Sequence, residues 1–181
     1  MIKAIILTGV AACLLPTFAF AGPTDFTTGP IVEDFGPAAT VPDAQALPEN
    51  AQFKIAFDTA KGSEGDVLNS SLVSAARFMN MHGKAGVAAE NIDIAVVIHG
   101  GAAFDLLSPA EHKARREDAD NPNTALIGAL TDAGVRIILC GQTAAYRDIS
   151  KDDLLPNVEL ALSAMTAHAQ LQQSGYTLNP F

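Results

Sequence analysis

The chain has no tryptophan, only two cysteines and few basic residues. Each shortage excludes something. Eleven Lys and Arg stand against 20 Asp and Glu, a formal net charge of −9. No basic run offsets this, which argues against nucleic acid or an anionic membrane surface as a partner. Two cysteines, Cys13 and Cys140, cannot build a thiolate metal cluster. The four histidines, His82, His99, His112 and His168, lack close metal-ligand spacing, so no metal is expected. Missing too are a phosphate loop ending in Gly-Lys-Ser/Thr, a G-x-G-x-x-G turn after the first strand, and a G-x-S-x-G elbow. Gly62-Ser63-Glu64-Gly65 only loosely imitates a flavin phosphate loop, and Glu64 and Asp66 would repel phosphate. No cofactor is expected. The longest apolar run, Ala4 to Leu15, is too short to span a bilayer.

That run has the form of an export leader instead. Lys3 precedes it, and Ala19-Phe20-Ala21 supplies a small-x-small cleavage site before Gly22. Residues 1–21 are therefore read as a signal peptide, with a periplasmic or secreted mature chain. A rival reading makes Val10-Ala11-Ala12-Cys13 a lipoprotein box. The apolar run continues past Cys13 through Leu14, Leu15 and Phe18, which speaks for simple cleavage. Cleavage leaves Cys140 as the sole thiol, so no intramolecular disulfide can form.

Residues 22–50 hold half of the ten prolines and predict an extended arm without a core of its own. Phe26, Ile31, Val32 and Phe35 are its means of docking, on the domain or on a neighbouring subunit. Residues 51–181 alternate between strand and helix patterns. Strands are expected at 53–58, 92–99, 135–140, 158–162 and 176–178. Helices are expected from Leu68 to near Gly83, from Ser108-Pro109 through Asp118, from Asn121 to Gly134, from Ser150 through Leu154, and from Ser163 to Ser174. The apolar strands imply a three-layer α/β/α domain with a mainly parallel sheet of about five strands.

Asp58, His99 and Cys140 each close an expected strand, and parallel strands bring such ends to one edge, where α/β sheets bind ligands. Two readings of each stay open. Cys140 is a reactive thiol near a helix N-terminus or an inert buried one. His99 neighbours Cys140 if the strand order runs third-second-first; otherwise it is a strand-end histidine bonded to loop backbone. Asp58 faces the site or serves as a turn or helix cap. Gly100, Gly101 and Gly141 let backbone approach a ligand, or simply turn the chain. Gln142 and Thr143 offer donors to a sulfur-bound anion or cap the next helix. If that segment is helical, Arg147 turns to solvent. His168, three residues from both Met165 and Leu171, is read as helix packing.

These residues also carry a family likeness. Phe53 to Asp58, Arg77-Phe78-Met79-Asn80, Ala95 to Gly100, Asn121-Pro122-Asn123, Cys140-Gly141-Gln142, Ala161 to Thr166 and Gly175-Tyr176 occur in the order seen in DsrE/DsrF-like proteins. The chain resembles the exported branch of that family. The resemblance implies the α/β fold, a persulfide-carrying role for Cys140, a homo-oligomer such as a trimer or hexamer, and a sulfur donor or acceptor protein. The resulting expectation is an exported sulfur-handling protein. Cys140 and His99 would act in it, with Gly141, Gln142, Gly100 and Asp58 around the ligand. The alternative is a non-enzymatic oligomeric binding module whose cleft Cys140 merely lines.

Overall fold

The structure, a computed structural model, describes residues 22–180. The proposed leader and Cys13 lie outside them. Five strands form one sheet: β1 (Phe53–Thr59), β2 (Ile92–Ile98), β3 (Arg136–Cys140), β4 (Val158–Ala161) and β5 (Thr177–Asn179). All pair in parallel, in the order β4-β3-β2-β1-β5. β2 is central and almost wholly buried, which explains its apolar run from Ile94 to Ile98.

Helices cover both faces. Alternate residues of β1, β2 and β3, including Phe57, Ile94, Val96, Ile98, Ile137 and Leu139, pack beneath α1 (Ser70–Lys84) and α3 (Thr124–Asp132). Residues of the opposite parity, Ala56, Ala95, Val97 and Ile138, pack with Ala167 and Leu171 of α5 (Ala164–Gln173) and with Tyr176. The first core is large and the second small. Their alanines let α5 sit close to the sheet.

The helix boundaries follow local chemistry. Asn69 caps α1 by accepting from the Ser71 and Leu72 amides, and Leu72, Ala75, Ala76 and Met79 form its buried face. Ser108 and Pro109 start α2 (Pro109–Arg115) as expected. This helix stops three residues before Asp118, because Glu117 and Asp118 both take positive φ, 55° and 65°. The turn after Ser150 is 3-10 rather than α-helical, Lys151–Asp153. The turn after β2 is a 3-10 stretch, Gly100–Leu106, that no sequence pattern marked, and the segment after Cys140 is helical, as α4 (Gly141–Tyr146).

The segment before β1 is irregular and folds back on itself, Thr27 and Ala38 forming an antiparallel bridge. Val32 is buried in the larger core, with Ile31 and Phe35 packed beside it, while Phe26 stays exposed. Asn80 of α1 holds this segment through its backbone. Among the described residues, no helix is long and apolar enough to cross a membrane.

Candidate functional site

Strand order settles which ends meet. β3 pairs with β2, and β2 with β1. His99 and Cys140 each follow the Ile98–Leu139 pair, so they share a row on adjacent strands. Sheet spacing sets the two backbones about 5 Å apart. Ile98 and Leu139 point into the larger core, so His99 and Cys140 turn to the face that carries α5. Asp58 shares that face, one residue before the end of β1.

Cys140 is both the last residue of β3 and the N-cap of α4. It is 6% exposed. Burial pushes its thiol pKa up. The backbone N–H groups of Thr143, Ala164 and Gln142, with the Thr143 hydroxyl, favour the charged sulfur and more than offset that push, so the pKa falls below its ordinary value. These donors come from two helix N-termini, because Ala164 is the first residue of α5 and Ser163 its cap. Ile137 and Leu139 belong to the opposite face, and Ile138 is the β3 residue that shares the side of Cys140.

Gly141 is required by close approach. A Cβ there would stand 2.5 Å from the Ala161 carbonyl oxygen and 3.1 Å from that of Leu162. Its absence lets the start of α4 lie flat against the end of β4. Gln142 serves the sulfur through its amide N–H; its side-chain Nε2 donates to the Leu162 carbonyl at 3.3 Å. Gly100 has φ +56° and donates its N–H to Thr143 Oγ1 at 3.2 Å. The hydroxyl that serves the sulfur is therefore tied to the turn after β2.

Asp58 is neither a turn residue nor a cap. Its Oδ2 accepts from His99 Nε2 at 3.1 Å and its Oδ1 from His168 Nε2 at 2.8 Å. The His99 Nε2–H thus points along the row toward β1, not at the sulfur. His168 does not serve packing alone, as its spacing suggested. It lies one turn into α5 from Ala164 and carries the second imidazole to Asp58. Its Nδ1 is buried without a partner among the described residues. Of the other histidines, His82 Nδ1 donates to the Phe78 carbonyl and His112 Nδ1 to that of Ala119. Among the described residues, no group of three or more His, Cys, Asp or Glu is arranged to hold a metal ion.

α5 covers only part of its face. Beside it runs a groove of about 490 Å³, floored by Arg136, Ile138 and Ala161 and walled by Ala167, Gln170 and Leu171. Ala161, at one end of its floor, is the register partner of Cys140. Arg136 and Glu159 meet across it at 2.7 Å.

Sequence reasoning singled out Cys140, His99, Asp58, Gly100, Gly141 and Gln142 but missed Ala164 and His168. A signal for Ala164 existed, since a Ser N-cap directly after a strand puts a helix N-terminus at the same sheet edge. For His168 there was none, because its partner lies 110 residues earlier.

A family model for the DsrE/DsrF-like family matches residues 53–180. The chain belongs to the DsrE/DsrF-like family. That family is associated with sulfur relay in general. Two solved structures share the fold. One is MTH1491, a protein of unknown function from Methanobacterium thermoautotrophicum, at 19% identity and a TM-score of 0.51, covering 72% of this chain and 99% of its own. The other is the ychN protein from E. coli, at 19% identity and a TM-score of 0.52, covering 72% of this chain and 100% of its own. At such identity the likeness is one of fold. No curated protein matches.

Proposed function

We propose that this DsrE/DsrF-like chain is an exported sulfur-handling protein in which Cys140 accepts sulfane sulfur and passes it on as a persulfide. The observation that carries this reading is the convergence of amide donors from the N-termini of α4 and α5 on the Cys140 sulfur, an arrangement that favours the thiolate against burial. A thiolate is the nucleophile in sulfur exchange, and a lowered pKa raises its fraction near neutrality. The thiolate attacks the outer sulfur of a donor persulfide. A bond forms between Sγ and that sulfur, the donor's S–S bond breaks, and the donor leaves as thiolate with the electron pair. An acceptor thiolate then attacks the outer sulfur and returns Cys140 to its thiolate. Neither step needs an outside oxidant or reductant. The role given to His99, whose Nε2 is held by Asp58, is to supply a positive charge beside the sulfur or, from its other ring nitrogen, the proton that the leaving thiolate takes up. The amides that stabilise the thiolate also stabilise the anionic persulfide.

Export rests on Ala19-Phe20-Ala21 before Gly22. N-terminal sequencing of exported protein should find Gly22 first; a lipid-modified Cys13 would overturn cleavage at Ala21. Self-association as a trimer or hexamer is part of the same proposal, and light scattering should give a multiple of the chain mass. A monomer at micromolar concentration removes it.

The 6% exposure of Cys140 favours the second reading, an oligomeric binding module with Cys140 as lining of the cleft. Intact-mass analysis with thiol labelling separates the two. Under the first reading, native protein alkylates rapidly near neutral pH, and a sulfane donor adds the mass of one sulfur atom, which Cys140→Ser abolishes. A thiol that resists alkylation until the chain is unfolded leaves the binding module.

A further inference from the structure

The chain's surplus of acids makes unpaired cations informative. Of its five arginines, Arg115 and Arg136 pair with carboxylates and Arg77 donates to the Pro37 carbonyl. Arg116 and Arg147 do neither. Among the described residues, no carboxylate lies within ion-pair distance of either guanidinium. Both sit over one ring instead, that of Phe104, at 5.3 Å and 4.7 Å from its centroid. Two like charges on one aromatic ring repel each other, and the ring's attraction for each leaves that repulsion in place.

The ring forms part of a cavity of about 380 Å³ that also takes in Lys61, Gly62 and Gly101. Its walls follow the carboxyl ends of β1 and β2, and Arg147 follows α4 after β3. This is the sheet edge at which α/β proteins bind ligands. Two acids line the cavity as well, and both are engaged. Glu64 pairs with Lys61 at 3.2 Å. Asp105 is buried beneath, where Ser63 donates both N–H and Oγ–H to it and Asn69 donates from Nδ2 at 2.8 Å. Sequence alone suggested that Glu64 would repel phosphate here; paired with Lys61, it leaves the two arginines as the uncompensated charge. Their placement is supported from behind. Arg115 Nη1 donates to the carbonyls of Arg147 and Asp148, fixing the end of α4 against the end of α2.

We propose that this cavity is a binding site for a small tetrahedral oxyanion, of the class of sulfate, phosphate and thiosulfate. Planar guanidinium forks offer paired N–H donors that match two oxygens of such an anion. The anion offsets the repulsion between Arg116 and Arg147. Gly62 and Gly101 bring the two turns that line the cavity into contact: a Cβ on Gly62 would stand 2.8 Å from the Gly101 carbonyl oxygen. The site is separate from Cys140, which opens on the α5 face, so it stands whether or not Cys140 carries sulfur.

The test is a titration of the purified chain with sodium phosphate, sulfate and thiosulfate separately, at constant ionic strength. It is followed by calorimetry and by backbone amide NMR shifts. Saturable binding that moves the amides of Gly62, Gly101 and Arg147 is expected. Arg116→Gln and Arg147→Gln should each weaken it by about tenfold or more, and the double variant should abolish it. Lys at either position keeps the charge without the fork and should fall between. Cys140→Ser should bind as the parent does. Preference for thiosulfate would narrow the class to a sulfur oxyanion; equal binding of all three would keep it general. Absence of saturation by any of the three anions in the unmodified chain, or saturation that moves amides elsewhere, overturns the proposal without reference to the variants.

Discussion

The Asn80 carboxamide and the Val32 backbone hold each other in both directions. Asn80 Oδ1 accepts from the Val32 N–H at 2.8 Å, and its Nδ2 donates back to the Val32 carbonyl at 2.9 Å. The same side chain accepts from the Ile31 N–H and donates to the carbonyls of Phe35 and Gly36. One fully buried carboxamide on α1 thus stands in for a strand partner to the N-terminal segment.

Asn80→Ala should therefore release residues 31–36 and leave the sheet intact. Leaving those buried backbone groups unpaired costs about 2 kcal/mol or more. Urea denaturation should show the loss, and limited proteolysis should cut within residues 26–40 before the sheet opens. An unchanged midpoint with no new cleavage would refute this role for Asn80.

Thr143→Val removes a hydroxyl that serves the Cys140 sulfur and accepts from Gly100. The thiol pKa should rise, and the pH profile of alkylation should move to higher pH. The sign of the linked stability follows from the depressed folded pKa. The unfolded thiol, near about 8.5, holds its proton longer than the folded one. The parent thus gains stability as pH climbs from below the folded value to above the unfolded one, and loses it as pH falls back. Cys140→Ser should erase that increment in denaturation midpoints measured across the window. A parent curve flat over the window would contradict the depressed pKa.

Gly141→Ala places a methyl 2.5 Å from the Ala161 carbonyl oxygen, and the contact is with backbone rather than a flexible side chain. β4 or α4 must shift. A cost of about 1–3 kcal/mol is expected, together with a changed alkylation rate for the adjacent Cys140. Thermal unfolding and labelling read the two effects separately, and a variant matching the parent in both would show that the ends of β4 and α4 separate freely.

Arg136 and Glu159 meet through two parallel hydrogen bonds, 2.8 Å and 2.7 Å. Arg136 holds the Glu159 carboxyl below its ordinary pKa, against an opposing push from partial burial. Both side chains are 44% exposed, so solvent screens the pair. Glu159→Gln should cost less than about 1 kcal/mol at neutral pH. Because the folded pKa is depressed, the contribution is complete above the unfolded value of about 4.3 and fades as pH falls through the folded one. Urea midpoints at neutral and acid pH, with and without added salt, check both statements; a larger loss at acid pH would reverse the sign.

Much of the fold was legible in the chain. Apolar strands, capped helices and their alternation are local patterns, each recorded within a few residues, and β1, β2, α1, α3 and α5 fall close to where those patterns put them. The strand-end positions of Cys140, Asp58 and His99 were legible for the same reason. Strand order was not, because it joins segments tens of residues apart with no local trace. Tertiary structure alone put β3 beside β2 and so set Cys140 in the row of His99. It brought the Ala164 amide to the sulfur from 24 positions along the chain, and that amide helps pull the thiol pKa down against burial. It also carried His168 to Asp58 and set Arg116 and Arg147 on one ring. Composition and periodicity thus determined the elements and the thiol. The electrostatics around that thiol depend on which helix ends and side chains packing brings within a few ångströms, and only the folded arrangement decides that.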